Sequence, residues 1–143
     1  FRNYCKLKSI KFFVSNNLKL ANELNSDGIY LSSYNNTFKH LSKKQFNFSI
    51  IGSAHSKKEI FNKIKQGCEV ILFSKLFPVN YNNEAPTLGV IKFNNLLAHN
   101  KKLIPLGGIN QINLKKLNMI SCKGFAMMSE IKKKPANIIN RLF

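Results

Sequence analysis

A chain of 143 residues, 44% of them apolar, is long enough for one domain with a real core, which excludes an intrinsically disordered segment. Its longest apolar runs, such as Val70 to Phe73, are far too short to span a bilayer, and no signal-peptide core opens the chain, so a soluble, cytoplasmic protein is expected. The net charge of +17 comes almost entirely from scattered lysines accompanied by 20 asparagines, a pairing expected of coding bias, and no basic stripe interleaved with aromatics marks a nucleic-acid binder.

In chain order the first strand-like run is "SIKFFVS" at 9–15, followed by a short helical candidate, "NNLKLANEL". Strand-like runs return as "GIYLS" at 28–32 and "FSIIG" at 48–52. Next comes the clearest helix, "SKKEIFNKIKQG". Ser56 as N-cap with Glu59 three residues later forms a capping box, Ile60 and Ile64 share the buried face, and Gly67 ends the helix. The run "EVILFS" at 69–74 leads into the long loop "FPVNYNNEAPTLG", of a length usual for a substrate-covering segment. A helix from Leu88 to His99 turns Val90, Phe93, Leu96 and Leu97 inward. The series ends with "KLIPLG" at 102–107, the helical candidate "INQINLKKL", "GFAMMS" at 124–129, and a helix after Pro135 burying Ile138, Ile139 and Leu142.

The strand-like runs are continuous rather than alternating, as in parallel strands covered on both faces. Six strand–helix units in series predict an α/β fold with right-handed crossovers, either an open doubly wound sheet or a barrel. A (β/α)8 barrel needs eight units, so on that reading two precede Phe1. An incomplete barrel also has two open sheet edges, which pairing with a second copy would cover. Cys5, Cys68 and Cys122 form no CxxC pair and read as small buried thiols.

In either architecture ligands bind beyond the carboxyl ends of the strands. Residues there are mostly neutral and polar: Ser15, Asn16, Asn35, Ser53 and His55 among them. The best phosphate candidate is Gly107-Gly108, where backbone could approach an anion closely, with the main chain around Met128 and Ser129 on the other side. The competing reading is that two glycines after a strand are only turn chemistry. His55 is either an acid–base group or a residue at a helix start bonded to backbone, Lys75 either a phosphate-binding cation or a solvated one, and Met127-Met128 most simply core filler.

Five stretches taken together point further. "SDGIYL", "IIGSAHS", "ILFSKLFP…APTLG", "IPLGGIN" and "KGFAMMSEI" resemble, in order and spacing, the motifs of the thiamine phosphate synthase/TenI family. The resemblance implies a (β/α)8 barrel, here spanning its third strand to its end as a single domain over 1–143. It also implies thiamine biosynthesis. Synthase members join hydroxymethylpyrimidine pyrophosphate to a thiazole phosphate and release pyrophosphate, with Mg2+ stabilising the leaving group; TenI members tautomerise a thiazole carboxylate phosphate. The partners implied are these phosphorylated small molecules, with no nucleic acid and no membrane.

Carried over by position, Gly107, Gly108, Met128 and Ser129 fall on the family's phosphate-binding residues and Ser53 on its pyrophosphate-facing serine. Ser15, His55, Lys75 and Asn82 are further candidate substrate contacts, although TenI tautomerases place a His where Lys75 sits and Asn82 replaces the family's cationic lysine. The family's Mg2+-binding aspartates align with Asn16 and Asn35, so the cofactor is expected only if the protein is active. Its Thr-x-Thr-Lys aligns with Val79, Asn80, Tyr81 and Asn82, and its Gln-x-Arg-x-Lys would lie before Phe1. The resemblance therefore implies a divergent synthase or, alternatively, a relative that only binds or tautomerises a thiazole phosphate.

Overall fold

The computed structural model describes residues 1–38, 48–79 and 86–128. Five strands, β1 (Phe13–Ser15), β2 (Gly28–Leu31), β3 (Ser49–Ala54), β4 (Val70–Ser74) and β5 (Leu103–Leu106), form a sheet in the order of the chain. Helices α1 (Arg2–Leu7), α2 (Leu18–Glu23), α3 (Lys57–Lys65) and α4 (Gly89–His99) are interspersed with them. The expected α/β class with parallel strands is therefore present. The chain divides into two compact units, 1–71 and 72–143, with the boundary inside β4.

In the first unit β1 pairs with β2 and β2 with β3, both parallel, in a register that sets Leu31 beside Gly52. Gly52 is there for space. A Cβ at that position would come within 2.8 Å of Cys68 Sγ and 2.9 Å of Lys63 Cδ, so the missing side chain makes room for a lysine stem lying against β3. The capping box forms with one change. Ser56 Oγ accepts from Glu59 N, but the Glu59 carboxylate takes the His55 N–H at 2.8 Å, and Gly67 ends the turn at φ 77°.

The buried face of α3 differs from the expected one. Ile60 is buried, but Ile64 is 41% exposed, and Lys63 and Gln66 are the fully buried side chains. Spacing explains it: Lys63 is three residues from Ile60 on the inward stripe, and polar partners available to Lys63 and Gln66 make their burial tolerable.

The expected strand at 9–15 is reduced to three residues. The Ile10 N–H closes α1 by bonding the Cys5 carbonyl, Ser9 takes φ 54°, and Asp27 holds Phe12 at both its N–H and its carbonyl. Helix α1 itself has no counterpart among the expected elements. Its polar content hid it; Arg2 secures it by reaching the Asn25 carbonyl and the Asp27 carboxylate.

In the second unit α4 buries Phe93 and Leu97, with Leu96 and Val90 half-buried. The segment 109–117 is not an α-helix; a 3-10 helix occupies Leu114–Met119 instead. Asn110 and Asn113 are the cause, since their side chains bond the Ile112, Asn113 and Asn110 N–H groups and draw the backbone into a turn. The expected strand at 124–129 appears as a single parallel bridge between Leu106 and Ala126. Met128 is 60% exposed, so it does not fill the core as expected. The helix after Pro135 and the loop centre at 80–85 lie outside the described residues.

Candidate functional site

The first unit gathers polar side chains where β1, β2 and β3 end. Asn16 follows β1 in the left-handed region, φ 54°, a conformation asparagine adopts more readily than most residues. That turn presents its amide to the loop after β2. Asn16 Oδ1 accepts from Ser32 N at 3.0 Å, Ser32 Oγ at 3.2 Å and Asn35 Nδ2 at 2.9 Å, and its Nδ2 donates to Ser15 Oγ and Ser32 Oγ. Asn35 Oδ1 accepts from Thr37 N at 2.9 Å. Every polar atom of both asparagine side chains is thus used inside the protein.

A second layer holds this loop. Lys63 Nζ donates to the Asn35 carbonyl at 2.7 Å and to Gln66 Oε1 at 2.8 Å, while Gln66 Nε2 donates to the Asn35 and Thr37 carbonyls. Both side chains are 0% exposed. Burial pulls the Lys63 ammonium pKa down from its ordinary value, with Cys68 and Glu59 acting in the opposite direction.

Ser53 is buried one step beyond the Leu31–Gly52 pair. Because Gly52 faces Lys63 and Cys68, strand alternation turns Ser53 to the opposite face, away from α3. His55 is exposed, and its N–H belongs to the helix start through Glu59.

The second unit presents backbone instead. Leu76 N and Phe77 N donate to the Leu106 and Gly107 carbonyls, so the loop after β4 runs alongside the end of β5. Gly107 and Gly108 take φ 93° and 69°. A Cβ on Gly108 would overlap the Phe77 and Pro78 carbonyl oxygens, and one on Gly107 would come within 3.2 Å of Lys75 Cα. Turn chemistry and close loop packing therefore both demand these glycines. The Gly108 carbonyl accepts from Asn113 Nδ2 at 2.7 Å. Among the described residues neither the Gly107 nor the Gly108 N–H finds an acceptor, and both residues are half-exposed. These two successive backbone N–H groups are open, among the described residues, to an acceptor such as an anion.

Comparison with known proteins places the chain in a family. The thiamine monophosphate synthase family matches residues 1–131. The chain belongs to that family. A thiamine-phosphate synthase of Prochlorococcus marinus is 28% identical over 129 residues, covering 89% of this chain and 37% of the relative. One from Lactococcus lactis subsp. cremoris is 26% identical over 140 residues, covering 92% of this chain and 64% of the relative. The chain therefore spans less than two thirds of the length of these relatives. In fold it is similar to the thiamine phosphate pyrophosphorylase of Pyrococcus furiosus, with a TM-score of 0.69 at 19% identity over 99% of this chain and 73% of the other.

Thiamine biosynthesis in this family, as the resemblance implies it, uses Mg2+, and the residues at the aligned positions can be tested for fit. They do not fit. Mg2+ demands oxygen ligands with free lone pairs in near-octahedral geometry, usually with carboxylate charge. Asn16 Oδ1 and Asn35 Oδ1 already accept four hydrogen bonds between them. The four carboxylates among the described residues are engaged elsewhere: Glu23 with Lys19, Asp27 with Arg2 and Phe12, Glu59 with His55, and Glu69 with Ser49. No group of three His, Cys, Asp or Glu side chains capable of holding a metal occurs among the described residues. Nor, among those residues, is any helix long and apolar enough to cross a membrane.

Of the remaining expected site residues, Ser15 donates no charge but accepts from Asn16, and Lys75 is half-buried between β4 and Leu76. Asn82 and Ser129 lie outside the described residues. Sequence reasoning missed Lys63 and Gln66. The signal was available: a lysine on the apolar stripe of α3 facing a glycine in the interior of β3.

Proposed function

We propose that this chain serves thiamine biosynthesis as a cytoplasmic, (β/α)8-type thiamine phosphate synthase, with a thiazole-phosphate site at the end of β5. The observation that carries this reading is the pair of N–H groups at Gly107 and Gly108, unengaged among the described residues, in a chain of this family. A phosphate dianion there would give these two N–H groups a charged acceptor. In this reading the backbone of Met128 and Ser129 adds to the phosphate site, and Lys75 supplies a compact cation. Ser53 is assigned to the pyrimidine pyrophosphate, and Ser15, His55 and Asn82 to further substrate contacts. The pyrimidine methylene–oxygen bond breaks, pyrophosphate departs with the bonding electrons, and the thiazole ring nitrogen forms the new carbon–nitrogen bond. Donors fixed before the reaction stabilise the charge that separates, at no cost in reorganisation.

A second reading is favoured by one observation, the full engagement of the Asn16 and Asn35 side chains: the protein binds, or tautomerises, a thiazole phosphate without joining it to a pyrimidine. The full-length protein given both substrates separates the two. Pyrophosphate release together with calorimetric binding of thiazole phosphate supports the synthase; binding without release supports the second reading. Absence of binding overturns both.

A further inference from the structure

We propose that the loops after β1 and β2 are locked by an internal clasp, Asn16–Ser32–Asn35 with Lys63 bonded to the Asn35 carbonyl, which occupies the place of a divalent cation and makes these loops independent of Mg2+. The inference rests on family membership and on the geometry of these residues, not on turnover.

The hydrogen bonds argue for a completed structure rather than a vacated one. The Asn35 amide donates directly to the Asn16 carbonyl oxygen at 2.9 Å, so one side chain supplies the positive hydrogen where two carboxylates would have needed a cation between them. Turning Asn16 Oδ1 toward a metal would break three hydrogen bonds, one of them from the Ser32 backbone N–H. A buried N–H left without an acceptor is costly, so that exchange is unfavourable. Lys63 adds a second reason. Its ammonium is fully buried and pinned to the Asn35 carbonyl, with Gln66 bonded to the same oxygen, and a divalent cation nearby would meet a like charge. Asn35 and Gln66 fix the path of the loop as far as Thr37, whose N–H and carbonyl are both held.

The clasp also explains why asparagine stands at position 35. Aspartate at 16 alone would keep its three donors. Aspartate at 35 would remove the donor and set a carboxylate oxygen against Asn16 Oδ1, and with aspartate at 16 as well two carboxylates would face each other, which like charges disfavour unless a cation joins them.

The test uses the full-length protein without substrates, Mn2+ as a paramagnetic probe and Mg2+ in thermal melts at constant ionic strength. The native chain is expected to show no Mn2+ broadening localised at the Asn16, Ser32 and Asn35 amides and no Mg2+-dependent rise in Tm. The double variant N16D/N35D is expected to melt lower in chelator, to show that localised broadening, and to regain about 5 °C at Mg2+ ten-fold above its Kd. Should the double variant fail to fold, Asn35→Asp alone carries the same broadening and melting measurements. Localised broadening in the native chain overturns the proposal, as does an aspartate variant whose broadening and melting ignore the metal. Neither readout depends on thiazole-phosphate binding, so the proposed function can fail while the clasp stands, and the reverse.

Discussion

The two units end their strands in opposite ways. At the ends of β1 and β2, side-chain amides and hydroxyls bond one another until no polar atom of Asn16 or Asn35 is left over. At the end of β5, the backbone N–H groups of Gly107 and Gly108 are left unengaged among the described residues, while the carbonyls around them are bonded. The lesson is that a strand end becomes a binding site through what it leaves unsatisfied. Polar composition alone does not decide this, because the first region is the more polar and offers a ligand less.

The largest test of that contrast is Gly108→Ala. The new Cβ overlaps the Phe77 and Pro78 carbonyl oxygens in backbone that alanine adopts poorly, and a loss of about 2–4 kcal/mol in denaturant melts is expected. Thiazole-phosphate affinity should fall with it, as calorimetry would show. Unchanged stability would mean that the two loops are not packed as described.

The next effect is at the clasp. Lys63→Ala leaves a cavity against β3 and strips a donor from the Asn35 carbonyl and from Gln66, at an expected cost of about 2–3 kcal/mol. Lys63→Met keeps the stem and removes a buried charge, so its cost should be smaller, about 1–2 kcal/mol. Faster amide exchange at Thr37 in both variants would show that the loop, not only the core, depends on the ammonium; exchange that stays slow would separate Lys63 from the clasp.

The smallest effect concerns pH. The Phe12 N–H at 2.8 Å and the adjoining Arg2 guanidinium hold the Asp27 carboxyl below its ordinary value of 3.8. A carboxylate with a depressed native pKa contributes stability that is present above that ordinary value and is lost as pH falls through the native one. Acid unfolding curves of Asp27→Asn should therefore be flatter below about pH 4 than those of the native chain. Parallel curves would contradict the assignment.

Much of this was legible in the residues. The runs ending at Ser15, Ser32, Gly52, Ser74 and Gly107 announce strands because apolar, β-branched stretches stop at polar or glycine residues, and Ser56 with Glu59 announces α3. The double glycine is visible as a turn and, through its place in a recognisable series of motifs, as a candidate for holding a phosphate. Other features depend on partners distant in sequence. Lys63 looks like any of the solvated lysines until Gly52 and the Asn35 carbonyl are brought to it. The segment 109–117 has helical spacing, yet two asparagines three residues apart supply hydrogen bonds that a helix would have to forgo. Periodicity reports which face is apolar; it does not report which polar groups find each other.

The most direct measurement of the contrast between the two strand ends is an amide-resolved NMR titration of the full-length protein with thiazole phosphate. Shifts concentrated at Gly107 and Gly108, with Asn16, Ser32 and Asn35 unmoved, are the expected result. Shifts confined to Asn16, Ser32 and Asn35, with the glycine amides silent, would contradict the account.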